Sequence, residues 1–238
     1  MRIDDRYISE GAGMLTFTDV VALAAAQEPV MKIRNSATAF LSLSGFNALI
    51  VTATSPESKT HKVLYSSGYP QECVDHVCSA FVVNDPYFAQ LRAVNKPFDE
   101  WTPVFMSGFQ ARTWLIPAGY RNGSSVSLQD QHGRELGSIH VNTRLETLSD
   151  QQFEAIDSLT SFLKDAISTQ IEIDRLGLTL REVEVIRFVV QGASNPEIAD
   201  VLHISKRTVA THIENVLRKL DAHSRVEIAV RALRLGLA

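Results

Sequence analysis

Cysteine is nearly missing from this sequence: Cys73 and Cys78 are the only two in 238 residues. Two thiols exclude a disulfide-stapled scaffold and fit a reducing compartment. No apolar run approaches the roughly 18 residues that a membrane-spanning helix needs. The opening stretch carries Asp4 and Asp5 with no apolar core behind them, so no secretory leader is expected and the protein reads as cytoplasmic. Three catalytic or signalling motifs are absent: the G-x-x-x-x-G-K-[ST] phosphate loop, the G-x-S-x-G nucleophile elbow, and an early strand ending in a phospho-acceptor ahead of alternating β and α units. These gaps argue against an ATPase, a serine hydrolase and a phospho-receiver. Neither an enzyme nor a cofactor is expected.

The remaining composition, 45% hydrophobic and 21% charged, is that of an ordinary soluble globular chain, and the length suits two domains. Overall charge is −4, unevenly spread. From Leu176 onward nine Lys and Arg face seven Asp and Glu, a balance of +2 that leaves −6 for residues 1–175. Only the tail suits phosphate, and its weak basicity implies two copies acting together on DNA.

That tail reads as four short helices. Thr179/Glu182, Ser194/Glu197 and Ser224/Glu227 are capping boxes opening the first, second and fourth. Gly192 stops the first. The third begins at Ser205 and differs: Thr208 stands where the boxes place Glu, and Lys206 and Arg207 fill its first turn. Cations there oppose the helix dipole, but they suit a helix start that holds a phosphate. Val209, Ile213, Val216, Leu217 and Leu220 form its apolar stripe, and Arg207, Thr211, Glu214, Asn215 and Arg218 its polar face, with Ala210 at the border. Only His203-Ile204-Ser205 separates it from the second helix. That is the spacing of a helix-turn-helix whose second helix enters the major groove. The capping boxes alone would fit a plain helical bundle. The tight turn and the cationic helix start point to DNA.

The segment from Leu178 to Leu220 resembles the LuxR/FixJ family of bacterial transcription regulators nearly position for position. It departs at Pro196 and Ala210, where the family commonly has Lys. The resemblance implies that positions 210, 211 and 214 face base edges, while the helix start and the basic residues after it hold phosphate. The implied DNA-binding set is Ser205, Lys206, Arg207, Thr208, Ala210, Thr211, Glu214, Asn215, Arg218 and Lys219. A Thr methyl packs on a thymine methyl and a Glu accepts from cytosine N4. The final helix, with Ile228, Ala229, Ala232, Leu233 and Leu235, serves either as a dimer seam or as closure of the domain's own core.

Ahead of the tail, residues 17–44 read as a long helix capped by Thr18, with Pro29 either kinking it or splitting it in two. Strands are expected at 46–54, 61–68, 111–119, 123–130 and 134–143, with helices opening at Pro70 and Asp85-Pro86. Ser149/Gln152 caps a last helix reaching about Ile173 and leading straight into the tail. The fold class is therefore α+β: an N-terminal antiparallel-sheet sandwich over 1–173 and an all-α helix-turn-helix domain over 174–238. The order of elements resembles GAF and PAS sensor domains, and the stretch 123–167 resembles the end of a GAF domain. A second resemblance, to the autoinducer-binding domain of quorum-sensing LuxR proteins, rests on Tyr69-Pro70, Asp85-Pro86 and Trp101. Cys73 and Val77 stand where that family has Trp and Tyr, so its ring-stacking wall is missing.

A domain of this type usually holds a small molecule in an apolar pocket with a few polar anchors. Candidate ligand contacts are Tyr65, Tyr69, Trp101, Phe105 and Trp114, with Ile116 beside them, and His76, Asp85 and Arg112 as anchors. Aromatic residues in such a sandwich also serve as plain core. Arg112, inside an apolar strand, would need a buried partner. Cys73, His76 and Cys78 do not share one helix face, and no metal site is expected. The whole reads as a DNA-binding transcription regulator: a homodimer on a palindromic operator, controlled by a small-molecule effector, with RNA polymerase a possible further contact and no membrane. The competing reading is a regulator whose N-terminal domain takes no ligand and only dimerises or meets another protein.

Overall fold

The computed structural model describes residues 29–55, 60–94 and 103–237. The proposed start of the first helix at Thr18 lies outside them. Helix α1 (Pro29–Leu43) buries Ile33, Ala37 and Phe40, one face at helical spacing. Strands β1 (Ala48–Thr54) and β2 (His61–Ser67) follow as an antiparallel pair with a bulge at Val51/Thr52. Helix α2 (Gln71–His76) runs without a break into a wide π-helical turn (Val77–Phe81) and one further turn to Asn84. Helices α3 (Pro86–Val94) and α4 (Pro103–Ser107) come next. Strands β3 (Asn122–Gln129) and β4 (Glu135–Thr143) complete one antiparallel sheet in the order β2-β1-β4-β3.

The stretch 111–119, expected as a strand, is helical. Ala111–Leu115 forms a second π-helical turn, closed by Ile116 N–H donating to the Ala111 carbonyl at 2.8 Å. An apolar run this short fits either period. Here the turn continues the helical stretch before it, and Pro117 and Gly119 (φ +86°) end it. Among the described residues the sheet has four strands, not five, and Arg112 is exposed on a helix rather than sitting inside a strand.

The two faces of the sheet differ. One carries Leu49, Val51, Ala53, Val126, Leu128, Ile139 and Val141 and is covered by α1 and by α5 (Asp150–Arg175) in an apolar core. Ile156, Leu159, Leu163 and Ile167 of α5 are fully buried there, each contributing about 2 kcal/mol of transfer free energy. The other face packs on α2, α3 and the two wide turns, with Ala48 and Ile50 its apolar residues. Beside these two it presents Thr52, Ser127, Ser138, His140 and Asn142, all buried.

Helix α5 starts on the expected Ser149/Gln152 capping box and continues to Arg175. Its Ile173 already belongs to the next core, formed by α6 (Leu180–Val190), α7 (Asn195–Leu202), α8 (Lys206–Lys219) and α9 (Arg225–Arg234). Thr179/Glu182 forms a complete box, and the Glu197 carboxylate accepts from the backbone N–H and the hydroxyl of Ser194. At α9 the Ser224 hydroxyl accepts from Glu227 N–H, while the Glu227 carboxylate reaches His223 N–H. His203 ends α7 in the left-handed region (φ +52°), and Ile204 and Ser205 complete the three-residue turn into α8.

Glu182 ties this helical unit together. Its carboxylate accepts from Thr179 and, at 2.6 Å, from Lys219 Nζ, which also donates to the Gly177 carbonyl at 2.7 Å. Burial pushes the Glu182 carboxyl up, but the hydrogen bonds from Lys219 and Thr179 prevail and hold it below 4.5. A carboxyl lowered in the folded state stabilises fully above its unfolded value, and that contribution is lost as pH falls through the lower, folded value. Glu182→Gln should therefore flatten the acid limb of stability below about pH 4.5, read by urea unfolding across pH. Lys219→Met, which leaves the buried carboxylate unpaired, should cost about 3 kcal/mol at pH 7.

Candidate nucleic-acid interface and sensor cavity

Helix α8 presents its polar face outward. The Ser205 hydroxyl accepts from Thr208 N–H at 3.0 Å and lies 2.8 Å from the Thr208 hydroxyl, so the helix start is capped without a carboxylate. Lys206, Arg207, Thr208, Thr211, Glu214 and Arg218 are exposed, while Ala210 and Asn215 are half-buried. Val209 and Val216 are buried on the opposite side. The face therefore carries a positive first turn, suited to phosphate, followed by a stretch of small and acidic groups. Thr211 donates its hydroxyl to the Arg207 carbonyl at 3.1 Å, which leaves its methyl as the outward group. Arg218 reaches Asn215 at 3.4 Å. Lys219 stands apart from the rest of the implied set, since its ammonium is held by Glu182 and Gly177 at the helix end.

In the N-terminal unit a cavity of about 20 Å³ lies between the polar sheet face and the helices. Its floor is Ile50, Ser125 and His140; Tyr69, Cys73, Val77, Phe81, Phe105, Gln110 and Leu115 wall it. Both wide turns supply walls, Val77 and Phe81 from the first and Leu115 from the second. Wide turns of this kind recur at functional sites. Larger grooves, of about 710 Å³ beside α5 and the chain's last residues and about 910 Å³ where α1 ends, are open to solvent and away from this polar face.

The cavity gathers some of the candidate ligand contacts and not others. Tyr69 and Phe105 line it. Tyr69 donates to the Asn142 side-chain oxygen at 2.6 Å, and burial raises its hydroxyl well above 10. Tyr65 packs on the opposite, apolar face of the sheet. His76 and Trp114 sit against each other at 4.9 Å, with Phe109 against both, outside the cavity wall. Asp85 accepts from Tyr87 N–H at 2.8 Å and so caps α3. Arg112 is exposed, Ile116 is half-buried, and Trp101 lies outside the described residues.

Sequence reasoning missed Gln110, Ser125 and His140. Gln110 is 6% exposed and its amide nitrogen has no partner, although a buried donor ordinarily finds one. His140 is sealed in: burial pushes its imidazole down to about 3, so it is neutral. The signal was present in the alternation of Ser and apolar residues along 123–130 and 134–143. That pattern reads equally as a solvent-facing side. Burial pushes the Cys73 thiol up to about 12, with the nearby Cys78 adding to it, and burial and Asp75 push Cys78 up to about 11. Both are protonated and inert as nucleophiles. Among the described residues no group of three or more His, Cys, Asp or Glu is placed to hold a metal ion. No helix among them is long and apolar enough to cross a membrane.

Residues 176–232 match the family model described as bacterial regulatory proteins, luxR family. The uncharacterized response regulatory protein YgeK of Escherichia coli is 35% identical over 91 residues, 35% of this chain and 62% of YgeK. The transcriptional activator protein SolR of Ralstonia nicotianae is 29% identical over 194 residues, 76% of this chain and 80% of SolR. This chain therefore spans less than two thirds of the first relative and four fifths of the second. Among solved structures, Escherichia coli SdiA aligns over 93% of this chain and 97% of its own, at 20% identity and a TM-score of 0.49.

If α8 holds phosphate through its first turn, Lys206→Ala and Arg207→Ala should each weaken binding to all duplexes and lower the slope of log affinity against log salt by about one. Glu214→Ala should instead change which sequence is preferred, at about 1–3 kcal/mol per base pair read. Binding titrations over a salt series and a library selection measure the two effects. A loss of affinity for every sequence alike in Glu214→Ala would remove that residue from the base-reading set.

Proposed function

Because residues 176–232 match the luxR family of bacterial regulatory proteins, we propose that the chain binds a palindromic operator as a homodimer under the control of a small molecule held between its sheet and helices. It is a DNA-binding regulator and not an enzyme. The proposed division is a sensor over 1–173 and a DNA-binding domain over 174–238, with α5 passing between their two cores. A cytoplasmic location goes with that reading.

The effector reading rests on Gln110. A buried amide donor with no partner among the described residues is costly unless something else accepts from it, and Gln110 lines the same cavity as Ser125 and His140. The dimer reading rests on α9. Ile228 and Ala232 are fully buried, and Ala229 and Leu235 pack on the same core. Leu233 is 60% exposed, joined by Val226 at 72% and Val230 at 41%. These three fall at i, i+4 and i+7, an apolar stripe on the outer side of the helix. A two-fold seam there sets two α8 helices on successive half-sites. Coupling runs through α5, since an effector that changes how the helices cover the sheet biases the orientation of the DNA-binding pair.

A specific observation favours the second reading, a regulator that takes no ligand. A cavity of about 20 Å³ has room for one water and no more. Native mass spectrometry of protein purified from its own host separates the two. A bound organic molecule is expected, and a clean apo mass that stays insensitive to cell extract in thermal melting would favour the ligand-free regulator.

Val230→Asp with Leu233→Asp should leave the helical fold intact and shift the protein towards monomer. Operator affinity should fall by about tenfold or more because the paired contacts are lost. Sedimentation and DNA titration read both. A flexible Gly/Ser insertion after Asp174 should preserve DNA binding and abolish its response to effector.

A further inference from the structure

The polar groups behind the cavity form a hydrogen-bonded chain from His61 to Ser125, with the Arg92–Glu135 ion pair beside the one His61 nitrogen that makes no hydrogen bond. Arg92 pairs with the Glu135 carboxylate at 3.0 Å, and His61 Nε2 stands 3.5 Å from the same carboxylate. His61 Nδ1 meets Thr52 Oγ1 at 2.8 Å, Thr52 Oγ1 meets Ser138 Oγ at 2.8 Å, and Ser138 Oγ meets His140 Nε2 at 2.8 Å. His140 Nδ1 meets Ser125 Oγ at 2.9 Å, and Ser125 lines the cavity.

Each of the 2.8–2.9 Å contacts from His61 Nδ1 to Ser125 holds one proton, the longer 3.2 Å approach of Ser138 Oγ to His61 Nδ1 holds none, and the charge at one end decides which way all of them point. A carboxylate beside His61 Nε2 favours N–H there over a lone pair, which leaves His61 Nδ1 an acceptor. The Thr52 and Ser138 hydroxyl protons then serve the contacts among Thr52, Ser138 and His61 Nδ1. None remains for His140, so His140 Nε2 must carry its own proton and donate to Ser138. A neutral imidazole protonated at Nε2 has a bare Nδ1, and Ser125 must donate to it. With its proton committed, Ser125 offers the cavity lone pairs only. Gln110 offers an unpartnered N–H from across the same space.

We propose that Glu135 is a positioning residue that acts through this chain to fix Ser125 as a pure acceptor, so that the cavity selects a neutral molecule by a hydroxyl group. One hydroxyl donates to Ser125 and accepts from Gln110, and a cavity of about 20 Å³ is the size of that single group. An anion meets the Ser125 lone pairs and is repelled. An ether or ester oxygen reaches Gln110 but leaves Ser125 without a donor. This inference rests on the effector reading above and adds the chemistry of the group recognised.

The test uses the full chain. With nitrogen-15 in the histidines, the imidazole spectrum should place the His140 proton on Nε2, and Glu135→Gln, whose amide either donates or accepts, should give a mixture of tautomers. In thermal melting or calorimetry 1-octanol should bind about tenfold or more tightly than 1-methoxyheptane, its isomer in which the oxygen carries no proton. Glu135→Gln and Ser125→Ala should narrow that ratio to within about threefold, a change that loss of packing alone would not make selective for the alcohol. Equal binding of the two probes, or a His140 proton on Nδ1, overturns the inference and leaves the effector reading standing. Binding of neither probe overturns the hydroxyl site, and a clean apo mass alongside it takes the effector reading down as well.

Discussion

Buried polar groups must find partners, and that constraint organises the N-terminal unit. One sheet face is apolar and is simply covered by α1 and α5. The other carries hydroxyls, imidazoles and amides that no helix face of Leu and Val could satisfy. Most of them are satisfied sideways, by one another across the sheet, from His61 on the edge strand β2 to Ser125 on the opposite edge strand β3. Freed from that task, the covering helices can be apolar and irregular. The two wide turns fall on this side, and the cavity lies where their walls meet the polar floor.

The C-terminal domain was almost fully legible in its sequence because local rules settle it. Capping residues mark the helix starts at Thr179, Ser194, Ser205 and Ser224, and the apolar spacing of Val209, Val216 and Leu220 orients α8 without reference to anything distant. What local rules could not reveal was Lys219. By position it belongs with the cations of the recognition helix, and its engagement by Glu182 spans 37 residues. Long-range pairing of this sort leaves no periodic trace.

The sensor was legible in outline and not at its site. Four of five expected strands form, and the stretch around Trp114 does not, because an apolar run of that length carries no period of its own. That one error moved Arg112 from an imagined interior to solvent. Aromatic content drew attention to Tyr65 and Trp114, which the fold spends on other surfaces. The polar floor was hidden for the opposite reason: Ser and His at alternate strand positions look like the wet side of a sheet until helices are known to cover them.

Helix α5 turns these two units into a lever. Its 26 residues span about 39 Å at 1.5 Å per residue. A tilt of about 5° at the sensor end carries the far end roughly 3 Å, close to the ~3.4 Å between successive base pairs. On the proposed reading, a displacement of one wide turn by less than the width of a hydroxyl group is thus amplified to the scale on which two recognition helices would fall in or out of register with their half-sites.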